Sequence, residues 1–422
     1  MRRSRLPLAI VVAVAAAGAA TFLLRPRTGL IEPAAVDVQG YFTAFQLDRA
    51  EDYRSVQRLL GVGGLLVGTG TLALLAWRPP RRVFDRLARR PILGGAAAGA
   101  GISLLLVLVE FPLSAWRHDR AVDVGLNTQT WLDWITDMAK SAGIDAAFAA
   151  AGGAVALVLV RRFRRNWWAP AAAVIVAFGV VTIWLFPVVI DPIFNDFEKL
   201  PPGATRSDVL ELADRAGVDV GEVYRVDASR RTTAANAYVG GLGHSKRVVL
   251  YDNLISGFPR DEIRMVVAHE LGHQKHNDLI RGLVWLALVA PAGTFLVQRL
   301  AEAFARREGF DGRSSARAHR ALADPRVKPG PIVLPAIALA IGLVTFGMGA
   351  ASNVLSRQVE GRADAYSLSL TRDPAAFTHL ERRLAIRNVS DPDPPRLLHV
   401  LFGTHPTTAE RIGIGEAWQE EN

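Results

Sequence analysis

Seven long apolar runs constrain this chain more than any other feature. Each is close to the ~20 residues a helix needs to cross a bilayer. They occupy Leu6–Leu24, Leu59–Ala76, Ile92–Leu113, Ile144–Val160, Ala169–Ile190, Leu279–Val297 and Ile332–Leu355. In hydrocarbon, backbone polar groups must be satisfied within the segment, so runs of this length fold as helices. The expectation is a mainly α, polytopic membrane protein of the cell membrane, with about seven spans. The fourth run is the weakest, being short and rich in alanine and glycine. The first has a second reading as a signal peptide, because Arg2, Arg3 and Arg5 precede it and small residues follow near Ala17-Gly18-Ala19. Apolar residues continue past that point through Leu24, which favours a retained span.

Two polar stretches interrupt this pattern, residues 192–278 and 356–422. The first contains the linker-like break Pro201-Pro202-Gly203. It divides the chain into an N-terminal membrane unit, 1–200, with five spans, and a second unit, 201–422, threaded by the spans 279–297 and 332–355. Within the second unit a helix is expected over Arg206–Ala216 and strands over Glu222–Asp227 and Arg247–Tyr251. Gly240-Gly241-Leu242-Gly243 reads as a turn between two extended runs. Thr232–Val239, just before it, has the pattern of an edge strand, which can hold an extended peptide by main-chain hydrogen bonds. Arg313–His319 reads as a solvated basic connector between the last two spans.

The chemistry concentrates in His269-Glu270-Leu271-Gly272-His273, an H-E-x-x-H pattern. On a helix, residues four apart lie about 40° apart around the axis, so both imidazoles can reach one metal ion. Glu270, beside the first histidine, can reach a water on that metal. Pro259-Arg260-Asp261-Glu262 resembles a helix start with Asp261 as N-cap. Ile263, Val266 and Val267 supply an apolar stripe, and Gly272 leaves room for a second backbone. Cysteine is absent, so a zinc site here must use nitrogen and oxygen ligands. The net charge of +9 does not point to nucleic acid, because many arginines flank the apolar runs and serve as membrane anchors.

Two histidines need a third ligand to hold zinc tightly. His276 lies on the same face as His269 but on the order of 10 Å further along the helix, and reads as a solvated or supporting residue. Glu360 is the better candidate. It lies four residues before Asp364 in Ser356-Arg357-Gln358-Val359-Glu360-Gly361-Arg362-Ala363-Asp364, so both occupy one helix face. Glu360 can ligate while Asp364 accepts the N–H of a ligand histidine. The competing reading is a salt-bridged helix face. Two spans separate His273 from Glu360, so both emerge on the same side of the membrane, and an apolar hairpin can bring them together. His405, before Pro406, is either a loop residue or a group that stabilises an oxyanion.

These separated motifs resemble the membrane zinc endopeptidases that include the type I CAAX prenyl proteases and their bacterial relatives. His269–His273 looks like that family's zinc helix. Ser356-Arg357 with Glu360, Ala363 and Asp364 looks like its third-ligand helix. His405-Pro406 with Glu410-Arg411-Ile412 looks like its C-terminal active-site motif. Ala235-Asn236-Ala237-Tyr238 followed by Arg247–Asp252 looks like its substrate-strand hairpin. Leu185-Phe186-Pro187 through Asn195 resembles the segment joining the fifth span to the catalytic domain. The likeness covers most of the chain from residue 180 onward; before that only hydropathy and span count agree.

The resemblance implies a gluzincin-like zinc metalloprotease domain with a small β-hairpin or sheet, one Zn2+ per chain on His269, His273 and Glu360, and spans around a large chamber. It implies that His405 and Arg411 lie at the reacting carbonyl or its surroundings, and that Asn236, Ala237 and Tyr238 bind substrate. The expected activity is hydrolysis of peptide bonds in membrane-associated proteins or peptides, with Glu270 as base and His405 on the oxyanion. The partners are then a peptide or protein substrate and the bilayer. A broad quality-control protease uses the same chemistry. A catalytically silent scaffold or transporter is the reading from a different class, but Glu270 and the ligand residues are all retained.

Two arguments about orientation conflict. With seven spans, four arginine groups fall on one side: Arg2, Arg3 and Arg5; Arg78 to Arg90; Arg161 to Arg165; and Arg299 to Arg320. The positive-inside rule makes that side cytoplasmic, which places both polar stretches outside. The family resemblance implies a cytoplasmic catalytic face.

Overall fold

The computed structural model describes residues 6–241, 246–306, 322 and 327–422. The chain enters with α1 (Leu6–Leu24), α2 (Ala44–Trp77), the short α3 (Arg81–Leu87), α4 (Pro91–Asp123), α5 (Trp131–Arg162) and α6 (Trp168–Leu185). Six helices among the described residues are long and apolar enough to cross a membrane, and a seventh span exists if one bent pair counts. Most run well past the apolar stretches. The run Leu59–Ala76 is only the second half of α2, whose polar first half rises from a Thr43/Gln46 capping box. The weak fourth run sits inside α5, a 32-residue helix.

The fifth span departs from a continuous helix. At Leu185 it passes into a π-helical turn, Phe186–Ile190, then into α7 (Asp191–Phe194), with a bend of 46°. Pro187 and Pro192 each lack a backbone donor, so a regular hydrogen-bond ladder cannot run through them. The bend serves the water-facing domain: Arg247 Nη2 donates to the Pro187 carbonyl at 2.7 Å, and Tyr238 Oη donates to Asp191 at 3.0 Å.

That domain holds β1 (Phe197–Lys199), α8 (Ala204–Ala216), β2 (Glu222–Val226), β3 (Ala237–Gly240), β4 (Arg247–Tyr251), α9 (Asp252–Gly257) and α10 (Arg260–Lys275). The four strands form one sheet in the order β1-β2-β4-β3, with β2 and β4 parallel and the outer pairs antiparallel. The strand expected over Glu222–Asp227 stops at Val226. β3 lies at a sheet edge. Regular strand covers only Ala237–Gly240, because Thr232 instead bridges to Asn127 in the loop between α4 and α5. Leu242 and Gly243 of the expected turn, and the basic connector Arg313–His319, lie outside the described residues. A core of fully buried side chains, including Leu212, Val223, Leu250, Leu254 and Leu271, joins the sheet to α8 and α10.

α10 does not start at Asp261. Pro259 holds the cap with an extended backbone (φ −58°, ψ 154°), and Asp261 falls in the first turn, where its charge favours the helix dipole. After α10 the chain turns at Asn277, which adopts the left-handed conformation (φ 53°) that asparagine tolerates. It then enters the membrane as α11 (Asp278–Arg306). The return helix α12 (Leu334–Thr371) is 38 residues long and runs beyond its apolar part into the water-facing domain. Three helices finish the chain: α13 (Pro374–Arg387), α14 (Arg396–Phe402) and α15 (Thr408–Glu421).

Candidate active site

Gly272 decides how closely α12 can approach α10. A Cβ there would lie 3.1 Å from Cδ1 of Tyr366 and 3.4 Å from the Cα of Ala363. Without one, the polar end of α12 lies against the Gly272 face of α10, and Glu360 reaches the two histidines. His269 Nε2 and His273 Nε2 stand 3.1 Å apart. Glu360 Oε2 is 3.2 Å from His269 Nε2, and Oε1 is 3.6 Å from His273 Nε2. One donor atom from each of these residues lies within 4.8 Å of the others.

The hydrogen bonds behind this cluster set its chemistry. His269 Nδ1 donates to Asp364 at 2.8 Å, and His273 Nδ1 donates to Asp278 at 3.0 Å. A carboxylate only accepts, so each ring carries its proton on Nδ1 and turns an Nε2 lone pair inward. Glu360 Oε2 is buried and has no hydrogen-bond partner. Two lone pairs and an anionic oxygen facing one another would repel unless a cation joins them. Two imidazole nitrogens and one carboxylate oxygen are also the donor set of many catalytic zinc sites, so the residues fit the ion. The cluster attracts positive charge by its proton affinity as well. Burial opposes charging either ring, yet the neighbouring carboxylates Asp364 and Glu360 raise His269 to about 10, and Asp278 and Glu360 raise His273 to about 9.

Each histidine is backed by a carboxylate that an arginine holds in turn. Behind His269, Asp364 is fully buried and accepts from Arg411 Nε at 2.9 Å; Arg411 Nη1 also meets Glu381 at 2.8 Å. Behind His273, Asp278 pairs with Arg362. The Thr407/Glu410 capping box starts α15 and turns Arg411 inward. Its charge is spent on Asp364 and Glu381, so Arg411 orients the site from behind. Asp278, Arg362 and Glu381 had no sequence signal as a set, since each acts across a chain turn or between separate helices.

Glu270 lies between the two histidines on α10. No described residue hydrogen-bonds its carboxylate, and burial pushes its pKa above the usual carboxylate range. His405 Nε2 lies 3.3 Å from Glu360 Oε2, and its side chain remains 57% exposed. His276 turns away: its Nδ1 donates to the Gly272 carbonyl at 2.8 Å and its ring meets Tyr366 edge-on. Tyr238 points its hydroxyl at Asp191, away from the cluster, so Asn236, Ala237 and Tyr238 offer main chain more than side chain. Gln274, next to His273, ties β3 to α10 by donating to the Val239 carbonyl at 3.1 Å.

Comparison with known proteins identifies the family. A model of peptidase family M48 matches residues 202–418, and one described as the CAAX prenyl protease N-terminal region, with five membrane helices, matches residues 43–196. The chain is 32% identical over 321 residues to an uncharacterized metalloprotease, YhfN, of Bacillus subtilis, covering 76% of this chain and 72% of that one. It is 32% identical over 331 residues to CAAX prenyl protease 1 of Saccharomyces cerevisiae, covering 74% and 69%. The crystal structure of S. mikatae Ste24p superposes with a TM-score of 0.76 at 22% identity, covering 97% of this chain and 99% of that chain; at that identity it shows a shared fold. The protein is a multi-pass membrane metalloprotease. It belongs to peptidase family M48, on the branch resembling the CAAX prenyl proteases.

Proposed function

We propose that this protein is a zinc-dependent endopeptidase that cleaves membrane-associated proteins or peptides. The observation that carries this reading is the convergence of His269 Nε2, His273 Nε2 and the unpartnered Glu360 oxygen, with both Nδ1 protons already spent on carboxylates. These three residues would hold one zinc ion. When bound, zinc supplies Lewis acidity, polarising a carbonyl and acidifying water. Glu270, with its raised pKa and free carboxylate, takes the proton of the attacking water and later passes it to the leaving amine. His405 stands where it can stabilise the oxyanion. Asp364 and Asp278 keep the imidazoles in the ligating tautomer, and Arg411 and Arg362 hold those carboxylates.

The extended backbone of the substrate adds to the edge of β3. Polar side chains already occupy that edge: the Ala237 N–H bonds to Asn236 Oδ1 at 2.9 Å, and the Val239 carbonyl to Gln274. An incoming strand replaces both. Recognition is then by main chain near the membrane, with residues 1–200 forming the membrane unit and 201–422 the peptidase unit. Bound metal and activity of the purified chain test the chemistry. Glu270→Gln keeps one zinc per chain and loses cleavage by about a hundredfold or more, since it removes the base alone; His269→Ala loses metal and cleavage together. Full zinc occupancy and activity in Glu360→Ala would overturn the ligand set.

We infer an extracytoplasmic catalytic face. The arginine groups alternate if the bent pair α6–α7 counts as a span, and the positive-inside rule then sets the side. Alkaline phosphatase fused after Asn422 is expected to be active, and green fluorescent protein dark. The reverse result restores a cytoplasmic site.

A further inference from the structure

A second polar cavity, of about 540 Å³, shares no lining residue with the site above. Its walls come from both halves of the chain: Arg49 of α2 and Gly125 after α4 on one side, Thr233 and α13 on the other. Arg382, Arg383, Arg387 and His379 line it from α13. Among the described residues, no carboxylate lies within hydrogen-bonding or ion-pair reach of Arg49, Arg382 or Arg387. Each instead donates to a main-chain carbonyl: Arg49 to Val124 at 2.6 Å, Arg382 to Tyr41 at 2.6 Å, and Arg387 to Thr233 at 2.8 Å. Glu262, itself buried, pairs with Arg383 at 2.7 Å.

We propose that this cavity binds a small soluble anion carrying phosphate. A carbonyl takes one N–H of a guanidinium and leaves its charge intact, so three like charges share one cavity without a counter-ion. Anchored in this way, the planar forks lose little freedom on binding, and arginine suits phosphate oxygens by charge and by paired donors. The volume falls in the range of small-molecule sites. A lipid headgroup offers the same chemistry but sits too low. Arg49 precedes the apolar run at Leu59 by ten residues, about 15 Å of helix rise, whereas the headgroup layer adds only about 5–8 Å beyond the hydrocarbon. An anion here clamps the membrane half to the peptidase half. Thr233 already joins the two: its N–H and hydroxyl bond to the carbonyls of Leu126 and Gly125, three residues before the Asn236 that leads into β3.

The test is binding of inorganic phosphate to the full chain in nonionic detergent at constant ionic strength, by equilibrium dialysis, with chloride as control. Wild type is expected to bind one phosphate saturably and to melt at higher temperature with it. His379 is exposed and makes no hydrogen bond, so His379→Glu folds normally and puts a carboxylate in the cavity. It should weaken binding about tenfold or more, as should Arg382→Gln, with Arg382→Lys retaining part of it. Melting temperatures without phosphate report whether each variant folds. Equal affinity in His379→Glu and wild type, or no saturable binding by wild type at millimolar phosphate, overturns the proposal. In nanodiscs, phosphate affinity should be the same in phosphatidylcholine and in phosphatidylglycerol. Loss of binding in phosphatidylglycerol discs would mean a lipid headgroup occupies the cavity, and would overturn the soluble assignment.

Discussion

The spans before residue 200 and the two after it share an apolar composition but not their surroundings. In α2, α4 and α5 only 17% of the apolar window is buried inside the protein, against 39% in α11 and 44% in α12. The last two spans carry the chain into and out of the site, and protein covers more of their surface. The earlier helices leave large side chains such as Leu65, Leu104 and Leu108 exposed. In lipid, an outward leucine gains nothing from burial, so contacts there rest on close approach of small residues. The α4–α5 hairpin shows this. A Cβ on Gly99 would sit 2.0 Å from the Ala149 carbonyl, and one on Gly153 would sit 2.3 Å from that of Gly95. In the water-facing domain the order reverses, and leucine burial supplies most of the stabilisation.

One substitution series can break this contrast. Leu212→Ala, in a fully buried position of α8, should cost about 2–5 kcal/mol, because a cavity remains in a core that water cannot enter cheaply. Gly99→Val should cost less, about 1–3 kcal/mol, by forcing α4 and α5 apart. Leu108→Ala, 70% exposed on α4, should change stability by less than about 0.5 kcal/mol in lipid nanodiscs. Denaturation midpoints followed by tryptophan fluorescence give the order. A Leu108→Ala cost close to that of Leu212→Ala would mean α4 is covered by protein, and the two halves would no longer differ in solvent.

The sequence made some of this legible and hid the rest for physical reasons. Hydropathy exposes an apolar run wherever it occurs, so every expected span falls largely within a helix. It does not register a lost backbone donor, so the bend at Pro187 leaves no mark in the hydropathy. His269 and His273 were legible because helical period alone places them together. Glu360 and Asp364 needed the parity of two intervening spans, and the family resemblance, to join them to α10. Asp278 was hidden because the turn at Asn277 lies between it and His273, so no periodic rule connects them. Glu381 was hidden because it acts only through Arg411, from another helix.

A smaller effect is expected on the surface of the water-facing domain, and its pH dependence sharpens the contrast. Glu222, in β2, accepts from Arg206 at 2.8 Å, from its neighbour's Val223 N–H at 3.1 Å, and pairs with Lys199 at 3.2 Å. These bonds, with Arg206 first, hold its carboxyl at about 2, below the ordinary 4.5. A depressed carboxyl stabilises the fold when ionised, so the contribution is complete above the unfolded value and fades as pH falls through about 4.5 towards 2. Glu222→Gln should therefore lower the melting temperature slightly at about pH 6, and by less at about pH 3.5. High salt should shrink the deficit too, because the group lies at the surface, 23% exposed, within reach of ions. Leu108→Ala has no charge to titrate and should show the same near-zero effect at both pH values. A Glu222→Gln deficit that stays constant with pH and salt would mean the side chain acts by packing, and the ion pairs at this end of the sheet would carry no stability.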